Sequence, residues 1–317
     1  MRPCVEETQA DIALRPYRDD RDLDKMRAIL VEGRKAGGPT YYVHVGDLNW
    51  WVFYLDQEDD LRQRACLWER RQDGVTVGWA LVSPRFSAFD LFVQPEIWDT
   101  GRAEPMFAWA EEWAGDIVRE QGGTSLHTVW VSERDTRLIA HLRSRGFTWS
   151  DDHMICLQRE LDQDLPRPAL PPGFCVRPVV GEREAFQRAA ASHAAFNSSQ
   201  PLGRYQRRYL AFMRSPVYTP ELDLVCVAPD GRIAAFCLCW LDSVNRVGHL
   251  EPVGTHPDFQ RRKLGTAQLQ AALWRMVEHG MTVASVCVES SNPAGQALYH
   301  SAGFRPLFKL HTFTKLL

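Results

Sequence analysis

The stretch His256-Pro-Asp-Phe-Gln260-Arg-Arg-Lys-Leu-Gly265-Thr-Ala267 decides how this chain folds. Before it, Val247 to Thr255 reads as an extended apolar segment, and after it Leu264 to His279 carries helical spacing. A polar turn that closes a strand and opens a helix aims several backbone N–H groups at one point, where the helix dipole also favours negative charge. Arg261, Arg262 and Lys263 add cationic side chains there, so the expected guest is a phosphate or pyrophosphate. A basic, solvated helix start would be spelled the same way, and the turn alone does not separate the two readings.

At 317 residues the chain exceeds the usual size of one domain, which favours two. The net charge is only -3, so a nucleic-acid or anionic-membrane partner is not expected and any basic patch is local. Met1 to Asp11 carries three acids and no apolar core, which argues against a secretory signal. No apolar run reaches membrane-spanning length, and Ile233 to Leu241 suits a buried strand. The eight cysteines lack metal-ligand spacing, so no metal is expected. Cys237 and Cys239 fall on one strand face as small core residues. A reduced, cytoplasmic protein is the default.

Working outward, the chain repeats itself. Ile12-Ala-Leu-Arg15-Pro16 and Phe174-Cys-Val-Arg177-Pro178 lie 162 residues apart, as do Phe92-Val-Gln-Pro95-Glu96 and Gly254-Thr-His-Pro257-Asp258. Arg145-Gly-Phe147 and Ala302-Gly-Phe304 follow at 157. Three pairs in order indicate an internal duplication, with a period too long for a solenoid array. The expected domains are 1–160 and 174–317, joined by a semi-rigid linker at 161–173 that contains Pro166, Pro168, Pro171 and Pro172.

In the second half the pattern is a strand at 174–179, helices near 182–196 and 201–214, and strands at 222–228 and 232–240 around the Asp230-Gly231 hairpin signal. Then come the strand ending at Thr255, the long helix, a strand Val283 to Glu289, a helix Pro293 to Ala302, and a final extended pair from Phe304 to Lys315. The first half repeats this with Asp73-Gly74, helix Glu104 to Arg119, strand Leu126 to Val131 and helix Asp135 to Arg145, giving an α/β class with a mixed sheet. Trp109 and Trp113, four apart, read as core. Tyr41, Tyr42, Trp50, Trp51, Phe53 and Tyr54 read as a packing cluster, with a ligand pocket as the other reading.

The order strand, anion turn, helix, strand, Asn, helix with Tyr, Gly-Phe resembles the GNAT N-acetyltransferase superfamily. Gln260-Arg-Arg-Lys263-Leu-Gly265 is similar to that family's Gln/Arg-x-x-Gly-x-Gly/Ala turn, with Lys263 at the first glycine. A register from Arg262 to Ala267 also fits, and His256-Pro257 favours the first. Ser291-Asn292-Pro-Ala294 and Leu298-Tyr299-His-Ser-Ala-Gly-Phe304 resemble its second motif. The likeness covers the second half directly and the first through the duplication, so the expected fold is two tandem GNAT-like acyl-CoA acyltransferase domains, the first degenerate.

The resemblance implies acetyl-CoA as co-substrate. The turn from Gln260 through Arg261, Arg262, Lys263, Leu264, Gly265 and Thr266 would take the pyrophosphate. Val253, Gly254 and Thr255 would hold the pantetheine arm by their backbone, and Asn292 would contact it by its amide. Pro252, inside a strand pattern, marks an edge or bulge where the family splays its central strands. An alkyl ammonium of pKa about 10.4 is neutral in only about one part in 10³ at pH 7, so acetyl transfer to an amine needs a base. Glu251 is the candidate, with His249 and Asp242 as competitors, and Tyr299 occupies the family's position for the acid that protonates the leaving thiolate.

At the same offsets the first half has Trp98 for Gln260, Gly101 for Lys263, Ala103 for Gly265, Phe89 for Glu251, Asp135 for Asn292 and Leu142 for Tyr299. Asp99 and Glu104 bring negative charge to its turn, which opposes an anion. A catalytically silent first domain is therefore expected, pairing within the chain with an N-acetyltransferase domain that acts by direct attack in a ternary complex. The acceptor is a small-molecule or peptide amine. Double-domain members of the family include one acting on an amine of a small thiol precursor. A coenzyme A sensor without turnover is the other reading.

Overall fold

The computed structural model describes residues 11–161 and 165–317. The leader argument from Met1 to Ala10, and the part of the linker from Asp162 to Asp164, lie outside the described residues.

The first half runs β1 (Ile12–Pro16), α1 (Asp20–Gly37), α2 (Val45–Trp50), α3 (Leu61–Arg64), β2 (Ala65–Arg70), β3 (Thr76–Ser83), β4 (Ala88–Val93), α4 (Pro95–Asp99), α5 (Ala103–Glu120), β5 (Ser125–Ser132), α6 (Thr136–Ser144) and β6 (Thr148–Glu160). The second runs β7 (Cys175–Pro178), α7 (Ala185–Ala195), α8 (Leu202–Met213), β8 (Asp223–Val227), β9 (Ile233–Asp242), β10 (Val247–Thr255), α9 (Leu264–Glu278), β11 (Val283–Glu289), α10 (Pro293–Ser301) and β12 (Arg305–Leu316). None of the described helices is long and apolar enough to cross a membrane.

The chain forms two compact units whose membership departs from its halves. Among the described residues, one comprises those up to Val45 with Glu58–Ile155 and Phe308–Leu317, and the other Gly46–Gln57 with those from Cys156 to Leu307. In the first unit the strands follow the order β1-β2-β3-β4-β5-β12, with β4 and β5 parallel and the other pairs antiparallel. Trp68, Phe89, Phe107, Phe147 and Phe313 are fully or almost fully buried in its core. Trp109 and Trp113 stack at 5.3 Å and pack against that core, as their spacing indicates. The extended pair expected from Phe304 to Lys315 is instead one twelve-residue strand. That segment has no turn residue after Pro306, and it pairs with β5 from Leu310 to Leu316 with a single register shift between His311 and Phe313.

In the second unit the order is β6-β11-β10-β9-β8-β7, with β10 and β11 parallel. Every residue of β9 except Leu241 is buried, as a central apolar run should be. Beneath it Arg188, wholly buried, bonds Asp223 at 3.0 Å and lies 4.0 Å from the centre of the Phe236 ring. Tyr209 and Tyr218 donate to the same carboxylate, so the acid is satisfied from several sides, while Nη1 and Nη2 of Arg188 have no hydrogen-bond partner among the described residues and the guanidinium lies against the Phe236 and Tyr209 rings.

The duplication is visible in side chains as well as in elements. In the first unit Arg15 bonds Asp22 at 2.6 Å and the Arg18 amide donates to that carboxylate at 2.8 Å. In the second Arg177 bonds Glu184 at 2.6 Å and the Val180 amide donates to it at 2.7 Å. The same strand-to-helix clasp thus recurs at the offset read from the sequence.

Candidate active site

The turn at 256–263 is held from both sides. Phe259 and Leu264 are buried in an apolar cluster with Ala228, Ala234 and Ala235. On the outside Arg232 bonds Asp230 and Asp258, each at 2.8 Å, and its guanidinium lies 4.5 Å from the centre of the Phe259 ring. Arg261 and Lys263 have φ of 60° and 61°. Lys263 therefore follows the left-handed path that a glycine would take, at a cost of about 1–2 kcal/mol to the backbone. As N-cap of α9 it supplies no side-chain hydrogen bond. The amides of the first turn, which a helix cannot pair internally, are left for an external acceptor. Gln260, Arg261, Arg262 and Lys263 are exposed around this opening, while Gly265 and Thr266 are half-buried. Gly265 is needed for fit: a Cβ there would sit 3.3 Å from Thr255 Oγ1.

Beside the turn, β10 leaves its neighbour. It pairs with β11 only from His249↔Ser285 backwards, and its register with β9 shifts between Leu250 and Val253. Pro252, which has no N–H to donate, sits in this bulge after a cis peptide bond from Glu251. Past it Val253, Gly254 and Thr255 pair with Cys237, Phe236 and Ala235, so the β11 side of this segment is open. Gly254 is required at that point, since a Cβ would meet Phe236 at 2.3 Å.

At the splay an acid from the first half appears. Gly46 allows α2 to settle on Trp240, whose side chain a Cβ at that position would meet at 2.4 Å. Trp240 in turn donates from Nε1 to the Glu251 carbonyl at 2.9 Å. The next residue, Asp47, is buried with Oδ1 3.2 Å from His249 Nε2. His249 Nδ1 lies 2.9 Å from Ser285 Oγ. Ligating atoms of Asp47, His249 and Glu251 fall within 4.8 Å of one another, a cluster that favours positive charge. Burial above all, and then the neighbouring Asp47 carboxylate, push the Glu251 carboxyl well above the usual range. The pair is thus arranged to share a proton.

Tyr299 on α10 is buried. Burial first, then proximity to Cys237, Cys287 and Glu251, push its phenol up, which keeps the proton on oxygen at neutral pH. Asn292 caps α10, its Oδ1 accepting from the Gly295 amide at 2.8 Å. Only its amide nitrogen is left for a ligand. Asp242, weighed as a base, accepts from the Asn245 amide at 3.0 Å and from Nδ2 at 2.6 Å, so it is engaged in the β9–β10 turn. Asp47 carried no sequence signal, since nothing in its neighbourhood resembles a motif. The aromatic letters after it were the only hint, and they divide. Tyr42 packs near Phe92 in the first unit, whereas Trp50 and Tyr54 stack at 3.9 Å around Phe212 in the second, holding the helix that carries Asp47.

In the first unit the corresponding places are filled differently. Phe89 and Leu142 are core residues, and Asp135 caps α6 through the Leu138 amide at 3.0 Å, as Asn292 caps α10. Gly101 has φ 70°, and Asp99 is paired with Arg137 at 3.0 Å. A cavity of about 280 Å³ remains near these elements, bordered by Trp98, Trp130 and Asp135 among others.

Residues 190–304 match the acetyltransferase (GNAT) family. The chain is 28% identical over 158 residues to a mycothiol acetyltransferase of Streptomyces coelicolor, covering 47% of this chain and 51% of the relative. It is 31% identical over 137 residues to that of Clavibacter michiganensis, covering 43% and 44%. The matches thus span about half the length of these curated relatives. Two solved structures share the fold over nearly the whole chain. A GCN5-related N-acetyltransferase from Sphaerobacter thermophilus has TM-score 0.66 and 21% identity, covering 97% of this chain and 96% of that one. A tandem GNAT protein from the clavulanic acid biosynthesis pathway has TM-score 0.68 and 16% identity, covering 96% and 98%. The segment 190–304 is thus similar to the GNAT family, and the fold over nearly the whole chain is that of the two GNAT structures. The likeness in fold extends to a tandem member, and the likeness in sequence to about half the length of mycothiol acetyltransferases.

Proposed function

We propose that this chain is an acetyl-CoA dependent N-acetyltransferase whose active site lies in the second unit. The observation that carries the reading is the cluster of Asp47, His249 and Glu251 at the point where β10 leaves β11, with Tyr299 in electrostatic reach, beside an uncapped helix start. The first-turn amides of α9, with Arg261 and Arg262, fit a pyrophosphate, and the free edge of Val253 to Thr255 fits an amide-bearing arm. Acetyl-CoA supplies the acetyl thioester. Asp47, His249 and Glu251 attract the acceptor ammonium, and Glu251 takes its proton, directly or through a water, with Asp47 raising its basicity. The N–C bond forms as the C–S bond breaks, and Tyr299 passes its phenolic proton to the departing sulfur. The sequence offers no nucleophile–base pair for an acyl-enzyme, so attack is direct in a ternary complex.

On this reading the first half is catalytically silent, and it contributes Asp47. The names of the matched relatives place mycothiol-type amines among the acceptors to try. The test is thiol release from acetyl-CoA with a panel of small primary amines, including amines on thiol precursors. Amine-dependent release is expected. Tight coenzyme A binding with no release for any amine would support the sensor reading instead.

A further inference from the structure

Cys156 on β6 and Cys287 on β11 stand on neighbouring strands of the second unit with their sulfurs 2.6 Å apart. A disulfide bond is about 2.0 Å long, so the two atoms are within a small adjustment of bonding. Neither sulfur has a part in the acyl transfer proposed above. Cys156 is buried, but Cys287 is only half-buried, and it lies in the electrostatic reach of Glu251. Its hydrogen bond to Cys156, followed by burial, pushes the Cys287 thiol up, so that sulfur keeps its proton at neutral pH.

We propose that Cys156 and Cys287 form a modification site that closes to a reversible intramolecular disulfide when a low-molecular-weight disulfide reaches it. One cysteine, as its thiolate, attacks the S–S bond of the small disulfide, expelling one small thiol and leaving a mixed disulfide on the protein. The second cysteine gives up its proton and displaces the remaining small thiol. Two protein S–H bonds are lost and one S–S bond forms, while the oxidant takes up two electrons and two protons as two thiols. The bond would tie β6 to the strand that borders the splay. It requires only the two thiols, so it stands or falls separately from the acetyl-transfer reading.

The folded full-length chain is incubated with oxidised glutathione, its remaining thiols are alkylated, and it is digested without reductant and mapped by mass spectrometry. A peptide joining Cys156 to Cys287 is expected, lost on treatment with dithiothreitol. The C287S variant is expected to hold glutathione on Cys156 instead of a cross-link. Recovery of both cysteines from the wild-type protein as separate alkylated or glutathione-bearing peptides would overturn the proposal. So would a cross-link that forms only in denaturant. The wild-type measurement decides the matter even if the variant does not fold.

Discussion

The two turns before α5 and α9 share a left-handed residue at one equivalent position and differ in the charge around it. Gly101 and Lys263 occupy equivalent positions with φ of 70° and 61°, each just before a helix. The turn that kept its glycine has lost the opening polar residue to Trp98 and has Asp99 beside it, tied to Arg137. The turn that gave its glycine up is ringed by Gln260, Arg261 and Arg262. The left-handed conformation was therefore maintained at this one position, while Arg261 is left-handed where Asp99 closes α4, and the proposed difference in anion binding rests on side-chain charge as well. A left-handed residue without glycine costs about 1–2 kcal/mol, and a cation beside a pyrophosphate gives a reason for tolerating it.

Catalytic variants should show the largest difference between the copies. Tyr299→Phe and Glu251→Gln are expected to lower kcat by roughly 10²- to 10⁴-fold, with acetyl-CoA binding retained by equilibrium titration. Mutating the first-half cavity, for example Trp130→Ala, should leave kcat within about twofold, since that cavity holds none of the groups assigned to the reaction. A comparable loss of kcat there would end the idea of one working copy.

Charge at the turns gives the next effect. Arg261→Ala with Arg262→Ala should raise the KM for acetyl-CoA by about tenfold or more, each charge-assisted contact being worth roughly 1–2 kcal/mol. Arg102→Ala in the other copy should leave KM unchanged.

The pH profile is a finer probe. The Glu251 carboxyl titrates above its ordinary range, and its base form is the working one, so kcat/KM should rise with pH along an acidic limb above about 4.3. Asp47→Asn removes the neighbouring negative charge and should move that limb down. For stability the sign is reversed. A carboxyl whose folded pKa is raised contributes stability below its unfolded pKa and loses it as pH rises through the folded value. Glu251→Gln should accordingly gain thermal stability near neutral pH while losing turnover.

The smallest effect concerns the missing glycine. Lys263→Gly should stabilise the fold by up to about 1 kcal/mol in thermal or urea unfolding, because the native φ is one that glycine adopts freely. It should at the same time weaken acetyl-CoA binding by severalfold. A stable variant with unchanged affinity would show the lysine to be incidental.

Local pattern carried most of the fold. The 264–278 helix, the 283–289 strand and the 293–301 helix follow from periodicity and from their turns, since burial of one face is written in the spacing of apolar residues. Membership of the compact units was not legible. Strand β12 reads the same whichever sheet it completes, because pairing depends on a partner far along the chain. The proposed site is written in the sequence where a motif spans a turn, as with Gln260 to Gly265 and Asn292 to Tyr299. Asp47 lies some 200 residues before Glu251, and what brings them together is the bare backbone of Gly46 against Trp240, a contact that no local window contains.

That small contact bears on how the protein can be dissected. A gene fragment cut at the proline-rich segment, encoding 174–317 alone, would keep the motifs yet lack the 46–57 helix and the end of β6, and it would carry a last strand whose β5 partner is missing. Duplication usually leaves two separable modules. Here the traded segments bind the copies into a single heritable piece, so domain-swapping experiments need to move 46–57 together with the second half.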